Sequence, residues 1–415
     1  VLAQFRNARS EFPRQFWLVF WGMLISTIGA SMIWPFLMVY VSERLALPMT
    51  ATAGLMTLSS VMGLIASFIA GPIVDRFGRK WIMVISLVMN AAGYVFMSFA
   101  HTLPEFAILM VVNGVFNPLY RIGVDAMVAD LIPPDKRSEA YALTRTANNV
   151  GVALGPAIGG FVASLSYGIA FFIAAAGMLI YGLLITLFAA ETLPAQHAEA
   201  ARQSTEKLGG YVAILRDRPF MGFVGSFTLL TMTAAMVWML LAVYTKQNFG
   251  LPENQYGFIP TTNALMVILF QFAVTQVTKR YRPVQMVALG AVFYTLASAS
   301  IAFGQGFWGF WLSMVILTIG ELILMPTAST YVAALAPADK RGRYMSLFGL
   351  TWNVSLGIGP VLGGVLNDNL GPHFIWYGGA LFGLCSVLGF LWLSRRAPAN
   401  APAPALQTSA EPPAR

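Results

Sequence analysis

Twelve apolar runs, each long enough to cross a bilayer as a helix, take up most of this chain and leave little room for a water-soluble core. They fall at about 15–41, 50–73, 80–100, 105–130, 138–164, 167–190, 217–244, 255–277, 284–303, 307–334, 342–366 and 373–394. A helical crossing of the hydrocarbon layer needs roughly 20 predominantly apolar residues. The runs are rich in Gly, Met and Phe and are interrupted by proline. A β-barrel strand would instead alternate polar and apolar residues over about ten positions. Charged residues make up 10% of the chain, against about 25% in soluble domains. The fold class expected is an all-α membrane protein with twelve transmembrane helices.

The polar intervals then order the chain. The longest, 191–216, is rich in Ala, Glu, Arg, Gln and Ser and separates six runs from six. The expected organisation is an amino-terminal bundle (1–190), a linker (191–216), a carboxy-terminal bundle (217–394) and a disordered Ala/Pro-rich tail (395–415). With the amino terminus placed in the cytoplasm, every Lys and Arg except Arg44, Lys246, Arg121 and Arg145 falls on the cytoplasmic side. That bias follows the positive-inside rule and puts both termini in the cytoplasm. The net charge of +8 is therefore topological, and no nucleic-acid partner is expected. No cleavable signal precedes the first run, so the first helix is expected to be retained.

An internal repeat strengthens the six-plus-six division. LIPPDKRSEAYAL, from Leu131, matches LAPADKRGRYMSL, from Leu335, at an offset of 204 residues. The same offset superposes Asn149 on Asn353, Gly155-Pro156 on Gly359-Pro360, and Gly159-Gly160 on Gly363-Gly364. Repeats of this kind are common in carriers built from two like halves.

Two motifs carry specific chemistry. GPIVDRFGRK, from Gly71 to Lys80, packs Asp75, Arg76, Arg79 and Lys80 between two spans. Its Gly71 and Gly78 are free to adopt unusual backbone angles. It reads either as a positively charged turn or as a gating latch. In the second half Lys279 stands at the place of Asp75, so the first-half loop is the specialised one. GVALGPAIGG places Gly151, Gly155 and Gly159 at four-residue spacing, a bare stripe against which another helix can pack. Pro156 removes a backbone donor and loosens the helix, and Gly160 ends the motif. Ordinary small-residue packing of a bundle would use the same stripe.

On these residues the chain resembles the major facilitator superfamily, and within it the twelve-helix drug:proton antiporters. The resemblance spans residues 15–394. It implies alternating access by two pseudo-symmetric six-helix bundles, with the 71–80 loop linking the halves in the outward-facing state and Asp130, at the end of the fourth helix, as an acid partner for Arg76 or Arg79. The arginine expected early in the fourth helix is absent: Met110 stands there, and the first span has no acid.

Charges inside spans are costly and therefore informative. Arg121 and Asp125 lie four apart on one helix face and Arg145 lies in the next span, so the three read as an ion-pair network or as a functional cluster. Glu321 stands alone near the middle of the tenth span. An isolated carboxyl there is expected to be neutral, which suits either a proton-coupling site or a hydrogen-bonded packing residue. Cavity candidates are Trp34, Tyr40, Asn113, Asn117, Asn149, Trp238 and Asn353, together with Asn263, Trp352 and several Met residues. Aromatic and Met side chains suit bulky amphipathic ligands.

His101, His197 and His373 are scattered and Cys385 is the one cysteine, so neither a metal centre nor a disulfide is expected. No Walker-type loop is present, so transport should be secondary. The expectation is a monomeric, non-enzymatic inner-membrane transporter without cofactor, which exports amphipathic or drug-like small molecules in exchange for protons. Its partners would be the lipid bilayer, a small-molecule substrate and protons. The alternatives are an exporter or facilitator of a lipid, peptide or metabolite, and a non-transporting scaffold or sensor.

Overall fold

Hydrocarbon leaves a backbone no water to bond with, so each crossing segment must satisfy its own amides, and a helix does so. A computed structural model of the chain describes residues 11–193, 214–337 and 340–396. Among the described residues, twelve helices are long and apolar enough to span a membrane. They are α1 (Arg14–Leu45), α2 (Met49–Phe77), α3 (Arg79–Met97), α4 (Leu103–Leu131), α5 (Glu139–Leu165), α6 (Tyr167–Phe188), α7 (Arg218–Phe249), α8 (Glu253–Thr278), α9 (Pro283–Phe303), α10 (Gly306–Leu335), α11 (Arg341–Leu370) and α12 (Phe374–Arg395). The all-α twelve-span class expected from the sequence is the fold observed. Most of the expected linker, and the tail beyond Arg396, lie outside the described residues.

Several helix ends follow from local chemistry. α4 begins with a capping box in which Thr102 and Glu105 satisfy each other's backbone donors. Asp217 caps α7 by accepting from Phe220 N–H at 3.2 Å, and Gly250 ends that helix in the left-handed region. α1 is interrupted: its helix stops at Ile33 and resumes at Leu37, around Pro35.

The packing repeats. In the first six spans α1 lies against α5 and α6, α2 and α3 against α4, and α3 against α6. In the last six, α7 lies against α11 and α12, α8 and α9 against α10, and α9 against α12. These are the same pairs displaced by six, which makes two pseudo-symmetric bundles. Large exposed hydrophobics such as Phe68, Leu165 and Phe272 cover the outside of the bundles, as a lipid-facing surface requires.

The bundles meet through α2 with α11, α8 with α5, and the second segment of α1 with α7. Spans alternate in direction, so both described chain ends lie at one end of the molecule, the near end. The 46–48 turn and the ends of α5, α7 and α11 lie at the opposite, far end. There Gln247 Nε2 donates to Ser42 Oγ at 2.6 Å, Tyr167 Oη to Glu253 Oε1 at 2.8 Å and Thr50 N–H to Asp368 Oδ2 at 2.9 Å. Closer to mid-membrane, Thr261 Oγ1 donates to the Ala153 carbonyl at 3.0 Å, and Thr57 bonds the Gly357 carbonyl.

Candidate functional site: a cavity between the bundles

A cavity of about 380 Å³ opens where the two bundles meet. The first bundle contributes Ser31 from the first segment of α1, Trp34 and Pro35 from the break that follows it, and Asn149, Val152 and Pro156 from α5. The second contributes Trp238 from α7, Asn263 from α8, Glu321 and Met325 from α10, and Trp352 from α11. The rings of Trp34 and Trp238 face each other across the junction with centroids 5.9 Å apart. Among the described residues, the lining therefore holds three indoles, two carboxamides and one carboxyl, and neither Lys nor Arg.

Glu321 is held from α8. Asn263 Nδ2 donates to Glu321 Oε2 at 2.7 Å and also to Thr318 Oγ1 at 2.9 Å. Oε1 has no hydrogen-bond partner among the described residues. One carboxyl oxygen is thus fixed and the other remains available to a proton or a ligand donor.

The α5 glycines explain how the first bundle forms its wall. A Cβ at Gly151 would sit 2.7 Å from Thr27 Cγ2, one at Gly155 would sit 2.9 Å from the Ile28 carbonyl oxygen, and one at Gly159 would sit 2.6 Å from Met32 Cα. All three contacts fall on α1, so the stripe seats α5 against the broken span. Pro156 lines the cavity, while Gly160 packs on the main chain of Glu253 in the other bundle. In α11, Ser355 replaces the first glycine and bonds Thr231 at 2.7 Å.

The 71–80 loop forms a compact cluster at the near end. Arg79 is buried, with Nη2 3.1 Å from Asp75 Oδ1 and Nε 3.1 Å from Asp130 Oδ2. The second contact is close but not aligned as a hydrogen bond, and Arg79 Nη1 has no hydrogen-bond partner among the described residues. Gly78 turns the chain at φ +91°, a left-handed-side angle that favours glycine. Glu191 accepts from Arg79 N–H at 2.9 Å and from Lys80 N–H at 3.2 Å. Lys80 Nζ reaches the Thr186 carbonyl at 2.9 Å. Arg76 is exposed and lies over the Phe77 ring, and Gly71 has open space around it. Each of these contacts is internal to the first bundle, whereas the family resemblance implies a link between the halves.

Other sequence candidates lie elsewhere. Tyr40 donates to the Met97 carbonyl at 3.1 Å and packs among Phe106, Tyr167 and Phe171, inside its own bundle. Asn113, Asn117 and Asn353 are not among the cavity-lining residues. Arg121, Asp125 and Arg145 are exposed and form no ion pair among the described residues. Tyr141 Oη bonds the main-chain carbonyl of Asp125 at 3.0 Å. Sequence reasoning missed Glu191, which it placed in the linker, and the far-end acids Glu253 and Asp368.

A twelve-helix fold of two repeated bundles, with a polar-centred cavity at their junction, defines a membrane carrier. A profile described as the Major Facilitator Superfamily matches residues 19–252 and 226–414, and the chain belongs to that superfamily. It is a multi-pass secondary transporter. It is 26% identical over 361 residues to a Na(+), Li(+), K(+)/H(+) antiporter of Planococcus maritimus, covering 80% of this chain and 84% of that protein. It is likewise 26% identical over 329 residues to multidrug resistance protein MdtH of Escherichia coli (strain K12 / DH10B), covering 78% and 80% respectively. A crystal structure of the nucleoside transporter NupG superposes with a TM-score of 0.77 at 14% identity, over 92% of this chain and all of that one. At that identity the likeness concerns the fold.

Proposed function

We propose that the chain carries a compact amphipathic organic molecule across a bacterial-type inner membrane by alternating access, in exchange for protons taken up at Glu321. The observation that carries this reading is the junction cavity, whose one carboxyl is fixed by Asn263 through a single oxygen and faces three indoles contributed by both bundles. Indole faces suit aromatic and cationic groups. A lone carboxyl can bind either a proton or the cargo's donor, and that competition is what exchange requires.

Residues 1–190 and 217–394 act as the two rocking bodies, with 191–216 as the linker and 395–415 as a cytoplasmic tail. The near end faces the cytoplasm because Arg76, Arg79, Lys80, Lys136, Arg137, Arg280, Arg282, Arg341 and Arg343 cluster there. The far-end contacts between bundles then correspond to an inward-facing state. In this state Asp75, Arg79 and Asp130 are paired inside one bundle, and the free Nη1 of Arg79 is available to the second bundle once the near end closes.

The sequence relatives span cation/proton exchange and multidrug resistance by their names. That spread does not single out a carrier dedicated to drugs. Within it, the cavity's volume and aromatic walls favour a small cargo with an apolar body.

The test is flux in proteoliposomes, using a panel of amphipathic dyes, nucleosides and dipeptides, with and without a pH gradient. Binding should quench the cavity tryptophans. Glu321→Gln should reduce gradient-driven flux at least about tenfold, in line with loss of a group acting in proton transfer, while leaving tryptophan quenching measurable. Undiminished gradient-driven flux in that variant would remove Glu321 as the coupling site.

A further inference from the structure

At the far end α2 starts without a cap of its own. Its N-cap residue is Pro48, whose side chain cannot accept a hydrogen bond, and the first backbone donors of a helix need partners. They find them on the other bundle. Asp368, near the end of α11, accepts Met49 N–H at 3.2 Å through Oδ1 and Thr50 N–H at 2.9 Å through Oδ2. Thr50 Oγ1 adds a third bond to Oδ2 at 2.7 Å. Gly364, one turn earlier on α11, brings the two helices together, since a Cβ there would sit 2.7 Å from Thr50 N. One carboxylate thus completes a helix terminus 319 residues away.

We propose that Asp368 is the far-end gate residue of this carrier: it holds the bundles together by capping α2 across the junction, and its protonation from the far side releases them. The charge is essential, because an ionised carboxylate accepts all three donors and is attracted by the positive end of the α2 dipole. A neutral acid keeps little of either. α2 places no titratable side chain beside Asp368 at this contact; Met49 and Thr50 are its partners. On α11 the Asn367 amide donates to Oδ1 at 3.0 Å. His373, in the following turn, is engaged by Tyr244 Oη and the Ala302 carbonyl. Lys246, at the end of α7, is paired with Glu253. Opening the far end strips α2 of its cap, so the gate equilibrium is linked to this ionisation. The inference rests on alternating access and not on the cargo or on Glu321.

The experiment is a distance measurement by electron spin resonance on full-length protein in liposomes without cargo. Spin labels go on Leu165→Cys and Asn369→Cys, exposed far-end positions on the two bundles, in a Cys385→Ser background. At neutral pH the wild type should be mainly closed, and the open population should rise only as the pH falls through and below the ordinary carboxylate range, about 4. Asp368→Asn should show about a tenfold larger open-to-closed ratio at neutral pH, as loss of charge-assisted hydrogen bonds implies, and no further acid shift. Glu321→Gln should retain the acid shift, which separates this gate from the coupling site. A wild type with no acid shift, or an Asp368→Asn variant with the wild-type ratio or an intact acid shift, overturns the proposal. If Asp368→Asn fails to reconstitute, Thr50→Ala decides. It removes one bond but keeps the charge, so it should raise the open ratio about two- to threefold with acid dependence retained; an unchanged ratio overturns the proposal.

Discussion

The two junctions between the bundles are built on one plan and closed by different chemistry. α2 meets α11 and α8 meets α5, and the pairs correspond at the 204-residue offset. Pro48 matches Pro252, each at a helix start with no side-chain cap. Gly364 matches Gly160, and each packs on the main chain of the facing helix's first residues. At Asp368's place, however, the first bundle has Ser164, whose hydroxyl bonds the Phe161 carbonyl of its own helix at 2.8 Å. There the acid is Glu253, on α8 itself, paired with Lys246 at 2.9 Å and accepting from Tyr167 at 2.8 Å. The glycines fix the approach of the helices; the charged groups fix what opening costs. One clasp is a lone carboxylate on a helix terminus, and the other is an ion pair that carries its own neutralisation.

The largest expected effect strikes what the junctions share. Gly364→Val forces a branched side chain into the Thr50 backbone, and overpacking of this kind costs about 1–3 kcal/mol. It should wedge the far end open and reduce flux by one to two orders of magnitude, with Gly160→Val matching it. Flux near wild type in either would break the shared plan. Next comes the ion pair. Glu253→Gln leaves Lys246 without its carboxylate, and because Lys246 is partly exposed the loss is smaller than for a fully buried pair, about 1–2 kcal/mol. Thermal unfolding in detergent should show the lowered midpoint, and the double variant Glu253→Gln/Lys246→Met should recover part of it. The smallest effect is expected from Tyr167→Phe, which removes one cross-bundle hydrogen bond at about 0.5–1.5 kcal/mol. It should raise the far-end open ratio without altering its acid dependence. An altered acid dependence there would place titration at Glu253 and erase the contrast with Asp368.

The spans were legible in the sequence because hydrocarbon imposes a length and a composition on every crossing segment. The repeat was legible because bundle packing needs the same small residues twice, as at Gly155-Pro156 and Gly359-Pro360. Glu321 stood out because an acid in mid-span has no bland surroundings to hide in. Asp368 and Glu253 gave no such signal. They sit at span ends, where a carboxylate next to water is ordinary, and only the meeting of two bundles gives them partners. Glu191 was hidden in the same way, because the first acid after a span reads as the start of the linker. Tyr40 stands close to Trp34 in the sequence, but the break around Pro35 turns it into its own bundle, away from the cavity that Trp34 lines.

The capping of α2 by Asp368 also bears on how the protein is made. The helix that begins at Met49 is synthesised 319 residues before the carboxylate that completes it. At about 5–20 residues per second, the ribosome delivers that partner some tens of seconds later. Until then the first bundle must sit in the membrane with the start of α2 satisfied by water or lipid headgroups. The first bundle therefore reaches its final form only when the last pair of spans has been inserted.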